Sequence, residues 1–247
     1  MPVRISELFG YLLGWPLGLF FAAGSILRNA RFFHPRGLLF CAHIESVDDS
    51  LPLPLHAIVR FSGAWWKHVE WPDVLGLTIR LSEKVVRSAS PKEKDQDLLF
   101  ATFQRPWQIF AAPFFTEHHD YLANTYFAIS PFRLPDGRIV DFMVNPSRGH
   151  RSGGSRDDKL LGNVLGGRTM LRLMMKERKS ENWKMVARIH VEKESDIDQE
   201  ALRFHPFHAG QNIRPFGFLH YLRIAPYRMS QRVRPGSEVT DAEVAAE

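Results

Sequence analysis

The sequence has little cysteine: Cys41 is the only one among its 247 residues. A single thiol excludes an intramolecular disulfide framework and any zinc site built from several cysteines. Long runs of like charge are also missing, and the net charge is only +5. Nucleic-acid binding is therefore not expected. The proportions of hydrophobic residues (45%) and charged residues (24%) exclude a disordered or collagen-like chain.

Aromatic residues, by contrast, are abundant, with 19 Phe and 6 Trp. Such a number indicates a bulky core or a large aromatic-lined interior. Cys41 lies in an apolar run and is expected to be a buried, inert thiol. Trp65, Trp66 and Trp71 cluster in the sequence. Packing at the end of a barrel and contact with a membrane interface are both open for them.

An uncharged run covers residues 8–27, which is long enough for a membrane-spanning helix. Pro16 should kink or end such a helix, and Gly10, Gly14 and Gly18 form a face of small residues that suits close packing. Three alternatives stay open: an apolar helix buried in the fold or in an oligomer interface, an interfacial membrane anchor, and a true span or signal peptide. The run predicts a cytoplasmic or peripheral membrane protein, with membrane contact through these residues.

Short apolar runs dominate the middle of the chain and predict strands. The predicted strands are residues 37–46, 57–62, 75–82, 125–131, 139–145 and 184–191. Pro135, Asp136 and Gly137 separate two of them and predict a hairpin turn. Residues 95–103 and 160–179 are expected to be helices. The pattern predicts an α+β protein, with one antiparallel β-barrel and helices packed outside it. The expected segments are an apolar N-terminal helix over 1–30, the barrel domain over 31–235 and an acidic tail over 236–247.

A basic segment near the C-terminus carries the chemistry. Arg223 precedes Tyr227 by four residues, which is one helical turn, and a neighbouring guanidinium lowers the pKa of a phenol by stabilising the phenolate. A tyrosinate is one of the few protein groups that bind haem iron. Arg234 follows two turns later and is placed to reach a carboxylate of such a cofactor. Arginine pairs well with the two propionates of haem.

Four motifs occur in one order along the chain, and together they resemble those of the haem catalase superfamily. The first is R-x-x-H-x-x-G, formed by Arg31, His34 and Gly37. The next two are the R-F-S sequence of residues 60–62 and the strand of residues 73–81 with its aspartate and glycine. The fourth is R-x-x-x-Y, with the further arginine seven residues on. The resemblance covers residues 31–234 and is closest to small, divergent catalase-related proteins.

The resemblance implies a catalase-like β-barrel that binds haem b and cleaves the O–O bond of hydroperoxides. Tyr227 would be the proximal iron ligand, with Arg223 hydrogen-bonded to it. His34 would act on the distal side as a general acid–base group. The roles implied for the other site residues are propionate binding by Arg31, Arg60 and Arg234, and a supporting hydrogen bond from Ser62.

The sequence differs from the family pattern in ways that make some of the family's reactions less expected than others. Typical catalases are about twice as long and have a distal asparagine, where this chain has Ala101 and Thr102. We therefore expect peroxidase-type or isomerase-type chemistry, and the apolar N-terminal run favours an organic or lipid hydroperoxide. The alternatives are a minimal catalase that disproportionates hydrogen peroxide and a non-enzymatic barrel that binds haem or an apolar ligand. A homo-oligomer is compatible with each of these functions.

Overall fold

The computed structural model describes residues 37–66, 69–149, 153–199, 201–205 and 208–217. In these ranges the fold is mainly β, with two short α-helices, α1 (Ala112–Phe115) and α2 (Arg156–Leu165). The strands are β1 (Gly37–Ser46), β2 (His56–Gly63), β3 (Leu75–Ser82), β4 (Gln96–Ala101), β5 (Tyr126–Ala128), β6 (Phe132–Arg133), β7 (Ile139–Pro146), β8 (Met170–Glu177), β9 (Lys184–Glu194) and β10 (Arg214–Pro215).

Eight of these strands close into an antiparallel barrel. Their order is β7-β5-β4-β3-β2-β1-β9-β8, and the pairing of β8 with β7 completes the circle. Strands β6 and β10 extend the sheet from β7. The structure thus confirms the predicted antiparallel barrel. Closure leaves every strand of the circle hydrogen-bonded on both sides, which removes exposed sheet edges.

Alternation along the strands sends one set of side chains into the barrel. Phe40 of β1, Phe61 of β2 and Leu77 of β3 belong to one large interior cluster of buried residues. The opposite faces of β1 and β2 are also covered, since Leu39 and Ile58 pack with Leu202 in a second apolar cluster. Strands buried on both faces are continuously apolar in sequence, which explains why these strands were readily predicted.

The six predicted strands are all present, with half of their ends in the predicted place and the other half shifted by one to three residues. The predicted hairpin turn is confirmed between β6 and β7: Gly137 has φ of 87°, and its N–H donates to the carbonyl of Leu134. Two helix predictions fail. Residues 95–103 contain β4 instead of a helix. Residues 160–179 hold only the end of α2, followed by β8.

Helix α2 has clear start and stop signals. The hydroxyl of Ser155 accepts from the N–H of Asp158, whose carboxylate accepts in return from the N–H of Ser155. This reciprocal arrangement is a capping box. Gly166 follows the helix, and Gly167 has a positive φ of 64°. The glycine pair ends the helix, and β8 begins three residues later.

The predicted α+β class holds only in part, since the described residues form a mainly β fold whose α-helices are the short α1 and α2. Leu160 and Val164 of α2 belong to the interior cluster, so this helix does not pack outside the barrel as predicted.

The apolar run 8–27, the acidic tail 236–247 and the predicted domain limits at 31 and 235 lie outside the described residues. No helix within the described ranges has the length and apolar character needed to cross a membrane. Cys41 is only partly buried, because it lies at the margin of the outer apolar cluster that covers Leu39 and Ile58, the cross-strand partner of Cys41. This corrects the expectation of a buried thiol.

Candidate functional site

Two of the seven residues predicted to form the site fall in the described part of the chain, namely Arg60 and Ser62. The other five lie outside it: Arg31, His34, Arg223, Tyr227 and Arg234. Arg60 and Ser62 both belong to β2 and are 4% and 2% exposed. They alternate with Phe61, whose ring lies in the barrel interior. Both therefore project from the outer face of the barrel.

Gly37, at the start of β1, lies beside both of them. It is the cross-strand partner of Ser62. A β-carbon placed on Gly37 would come within 2.9 Å of both Cζ and Nη2 of Arg60 and would also meet the carbonyl oxygen of Phe61. The guanidinium of Arg60 thus occupies space that only a glycine leaves open. The structure brings together Arg60, Ser62 and the final glycine of the R-x-x-H-x-x-G motif.

Small residues continue across the neighbouring strands at the same level. Ser62 pairs with Gly76 of β3, and Gly76 pairs with Ala101 of β4. Gly37, Ser62, Gly76 and Ala101 form what we call the small-residue row, on the outer face of four adjacent strands. At the usual strand spacing, this row extends over roughly 14 Å. The row brings little side-chain bulk to this level of the sheet, and it is covered in the structure, since Ser62 and Ala101 are 2% and 3% exposed and Arg60 lies over Gly37.

The hydroxyl of Thr102, immediately after this row, is fully engaged. It accepts the N–H of Leu75 at 3.1 Å and lies 2.8 Å from the hydroxyl of Thr116. The proton of Thr116 goes to the carbonyl of Ala112, 2.8 Å away. Thr102 must therefore donate its own proton to Thr116, since each hydroxyl has only one. Neither Ala101 nor Thr102 can then offer a hydrogen-bond donor to a peroxide.

A buried carboxylate fixes the loop between β2 and β3. Asp73 is fully buried and accepts the N–H groups of Trp65 (3.1 Å) and Val74 (2.8 Å). A β-carbon on Gly63 would lie 2.6 Å from Oδ2 of Asp73 and 2.7 Å from Nη2 of Arg156, so these groups converge on Gly63. Burial raises the pKa of Asp73, partly offset by the backbone hydrogen bonds and by the charge of Arg156. Its role here is structural.

The described tyrosines are poor candidates for an anionic ligand. Tyr121 and Tyr126 both lie in the barrel interior, where the hydroxyl of Tyr126 donates to the carbonyl of Tyr121 at 2.8 Å. Desolvation raises the pKa of both phenols well above the usual value. They stay protonated at neutral pH. The chain has five tyrosines, so a tyrosinate ligand would have to be Tyr11, Tyr221 or Tyr227.

The tryptophan cluster lies at the same end of the barrel as the small-residue row. The rings of Trp66 and Trp71 meet edge to face, with centroids 5.2 Å apart. The indole N–H of Trp66 donates to the carbonyl of Pro72. Trp66 is partly buried, whereas Trp71 is 59% exposed. Trp66 therefore packs at the end of the barrel, as one of the two alternatives predicted, whereas most of the Trp71 side chain is exposed to solvent.

Other ionisable clusters lie on exposed parts of the surface. The rings of His43 and His190 stack with centroids 4.6 Å apart, and Glu192 and Glu45 lie beside them. No group of three or more His, Cys, Asp or Glu side chains within the described ranges is arranged to hold a metal ion. Since the predicted iron ligand Tyr227 is outside those ranges, this finding does not bear on it.

Comparison with known proteins adds no family. No protein-family model matches the chain, and no curated protein matches its sequence. The features of the chain that bear on function are the sequence motifs and the geometry at this end of the barrel.

Proposed function

We propose that this protein is a haem b-dependent enzyme that cleaves the O–O bond of hydroperoxides, with organic or lipid hydroperoxides favoured. The observation that carries the proposal is the position of Arg60 and Ser62 beside Gly37. Three residues of two separate motifs meet on the outer face of the barrel beside the small-residue row, and one of them is an arginine that could pair with the anionic side chains of a cofactor. The closed antiparallel barrel agrees with the fold that the resemblance implies.

The residues present fit one wall of such a site. Arg60 supplies a largely buried guanidinium for a propionate, and Arg31 and Arg234 are the further candidates for this role. Tyr227 would bind the iron as a tyrosinate, with Arg223 keeping its pKa low. When bound, haem supplies the redox-active iron at which the peroxide bond is cleaved.

The chain's own contribution is proton transfer and positioning. His34 would take the proton of the hydroperoxide and return it to the oxygen that leaves. A hydrogen bond from Ser62 would hold the orientation of the imidazole. In a peroxidase reaction, two electrons come from an organic reductant. In an isomerase reaction, both oxygen atoms of the hydroperoxide stay in the rearranged product, so no reductant is consumed and no water is released.

The hydrogen bonds of Thr102 favour this activity over disproportionation of hydrogen peroxide. Hydrogen peroxide is small and needs donors to hold it, whereas an organic hydroperoxide also gains binding energy from burial of its apolar part. Ala101 offers no donor, and the one proton of Thr102 is used by Thr116. A minimal catalase remains the second candidate, because the motifs for haem and proton transfer are common to both activities.

The first experiment is an absorption spectrum of the full chain, produced with ample haem precursor. We expect a Soret band that is lost or shifted in Tyr227→Phe and unchanged in the matched control Tyr221→Phe. Both variants remove one hydroxyl from the same basic region of the sequence. A colourless wild-type protein, or equal spectra for wild type and Tyr227→Phe, would overturn the assignment of the ligand.

The second experiment gives the purified protein hydrogen peroxide and a fatty-acid hydroperoxide in parallel. We expect faster turnover of the fatty-acid hydroperoxide, and loss of it in His34→Ala with haem still bound. Faster turnover of hydrogen peroxide with oxygen release would favour the minimal catalase. Bound haem without turnover of either substrate would favour the non-enzymatic module.

A further inference from the structure

The exposed aromatic side chains of the described residues are concentrated at one end of the barrel. Trp71, Trp107, Phe114 and Phe115 are all at least 59% exposed. Trp71 lies in the loop between β2 and β3, and the other three lie between β4 and β5. Both loops leave the barrel at the end that carries the small-residue row. Exposed aliphatic residues occur at the opposite end as well, but exposed aromatic ones do not among the described residues.

The three residues Trp107, Phe114 and Phe115 belong to a segment with almost no charge. We define residues 105–116 as the aromatic loop. Its positions 106–115 contain no charged residue, and Arg105 is the only charge in the whole loop. A ten-residue uncharged stretch is normally buried, whereas here three of its largest side chains are in solvent. Apolar surface displayed in this way marks a site of contact.

The aromatic loop is held in shape by hydrogen bonds. The hydroxyl of Thr116, its last residue, contacts that of Thr102, three residues before the loop begins, at 2.8 Å. The side-chain oxygen of Gln108 accepts the N–H groups of Gln104 and Arg105 at 3.0 and 2.8 Å. The exposure of its aromatic residues is therefore built into the loop. A preorganised loop loses little conformational entropy when it binds.

The arrangement of the rings indicates a protrusion. Phe114 and Phe115 are consecutive residues of α1 and project about 100° apart, yet they are 78% and 87% exposed. Trp107 is 65% exposed, and the guanidinium of Arg105 lies over its ring, 5.3 Å from the centroid. Large rings thus project in several directions, with one cation placed beside them.

A lipid bilayer is the partner that this chemistry fits best. Tryptophan is enriched at the membrane–water interface, where the indole is partly apolar and partly hydrated. Phenylalanine adds apolar area below that level, and an arginine beside them can pair with lipid phosphates. The positive net charge of the chain adds attraction to an anionic surface. Rings that project in several directions suit a fluid surface better than one fixed groove.

We propose that the aromatic loop docks the protein on anionic lipid bilayers, with Trp107, Phe114 and Phe115 entering the interface and Arg105 contacting phosphates. This inference does not depend on haem, and it is separate from any contact through residues 8–27. If the proposed function also holds, its site faces the membrane end of the barrel, and a lipid hydroperoxide could be taken up directly from the bilayer.

The test is sedimentation of the full chain with vesicles of phosphatidylcholine containing phosphatidylglycerol. The triple variant Trp107→Ser, Phe114→Ser, Phe115→Ser should lower the partition coefficient by about tenfold or more, because three large apolar side chains are removed. The matched control is Val47→Ser, Leu55→Ser, Val85→Ser, three exposed apolar residues at the opposite end of the barrel, which should change it by less than about twofold.

A second measurement separates the aromatic loop from the rest of the chain. Lipids brominated on their acyl chains should quench Trp107, so Trp107→Phe should bind as well as the wild type but show less quenching. Unchanged sedimentation of the triple serine variant would show that another segment binds the membrane and would overturn the proposal, as would equal quenching of the wild type and Trp107→Phe. Absence of vesicle binding by the wild type would do the same. The proposal would also be overturned if the serine substitutions changed the self-association of the protein and left its binding to vesicles unchanged. A colourless protein would leave this test unaffected.

Discussion

The guanidinium of Arg60 packs against the backbone of Gly37, closer than any β-carbon at that position would allow. The two residues lie on adjacent strands, two residue pairs apart on the same face: Gly37 pairs with Ser62, and Arg60 pairs with Leu39. The arginine therefore leans along the sheet toward the start of β1. Because Gly37 has no side chain, the guanidinium of Arg60 can lie against the backbone of β1 at the end of the small-residue row. A glycine on one strand thus determines where the charge of an arginine on the next strand lies.

Gly37→Ala should displace Arg60 and destabilise the barrel by about 1–3 kcal/mol, the usual cost of overpacking a close contact. The added methyl would meet Cζ and Nη2 of Arg60 and the carbonyl of Phe61. Urea denaturation of the variant measures this change. Gly153→Ala is the control, because open space surrounds Gly153. The free energy of unfolding of this variant should be close to that of the wild type. Equal stability of the two variants would contradict the packing described for Arg60.

Asp97→Ala should cost about 3–5 kcal/mol, because it leaves a fully buried arginine without its counter-ion. Both carboxylate oxygens of Asp97 bind Arg80, at 2.7 and 2.9 Å, and both side chains are inaccessible to solvent. Thermal and urea denaturation measure the loss. The control is Glu83→Ala, which breaks an exposed ion pair with Lys94 and should cost less than about 1 kcal/mol. Similar losses in both variants would contradict the structural role of the buried pair.

Asp73→Asn should change how stability depends on pH. Burial raises the pKa of Asp73 above 3.8 in the folded protein, so the folded state binds its proton more tightly than the unfolded state does. The resulting stabilisation is complete below the unfolded pKa and is lost as the pH rises through the folded pKa. The advantage of the wild type over Asp73→Asn should therefore shrink as the pH rises above about 4.

Urea denaturation of both proteins over this range measures the effect. An amide at residue 73 keeps an acceptor for the N–H groups of Trp65 and Val74, which limits other losses. The exposed Asp49→Asn serves as the control and should show no such trend. An advantage of the wild type over Asp73→Asn that grows with pH would contradict the stated direction.

Thr102→Val should destabilise the protein by about 1–3 kcal/mol, because the buried N–H of Leu75 and the hydroxyl of Thr116 lose their partner. Thr125→Val removes a single hydroxyl contact, to Asn145, and should cost about 0.5–1.5 kcal/mol. The relative turnover of hydrogen peroxide and fatty-acid hydroperoxide should stay the same in Thr102→Val. A selective loss of hydrogen peroxide turnover would show that Thr102 does contact that substrate.

The barrel could be predicted from sequence wherever the signal was local. Strands β1, β2 and β3 are short apolar runs, and the turn before β7 contains the glycine that its positive φ requires. Strand β4 was mistaken for a helix. Its outward-facing Asp97 is buried because Arg80 on the next strand and the N–H of His205 bind it, and such partners cannot be identified from a single segment.

The helix predicted over residues 160–179 was wrong for a different reason. Gly166 and Gly167 are a stop signal that the sequence displays, and the alternation of β8 follows them. The prediction assigned the apolar residues of α2 and of β8 to one face of a single helix, although the two glycines separate them. Of the candidate site, the sequence motifs indicated Arg60 and Ser62. The small-residue row beside them was not predicted, because its four residues are far apart in the chain and meet only through the register of the strands.

Every strand that contributes to the small-residue row has hydrogen-bonded neighbours on both sides, because the barrel is closed. This part of the sheet cannot shift outward without breaking hydrogen-bonded pairs along its whole length. We therefore expect the row to keep its shape when the neighbouring loops move, and any group that packs on its outer face has to fit that shape. Larger residues in the row would change the fit directly, whereas substitutions in the loops would leave it intact.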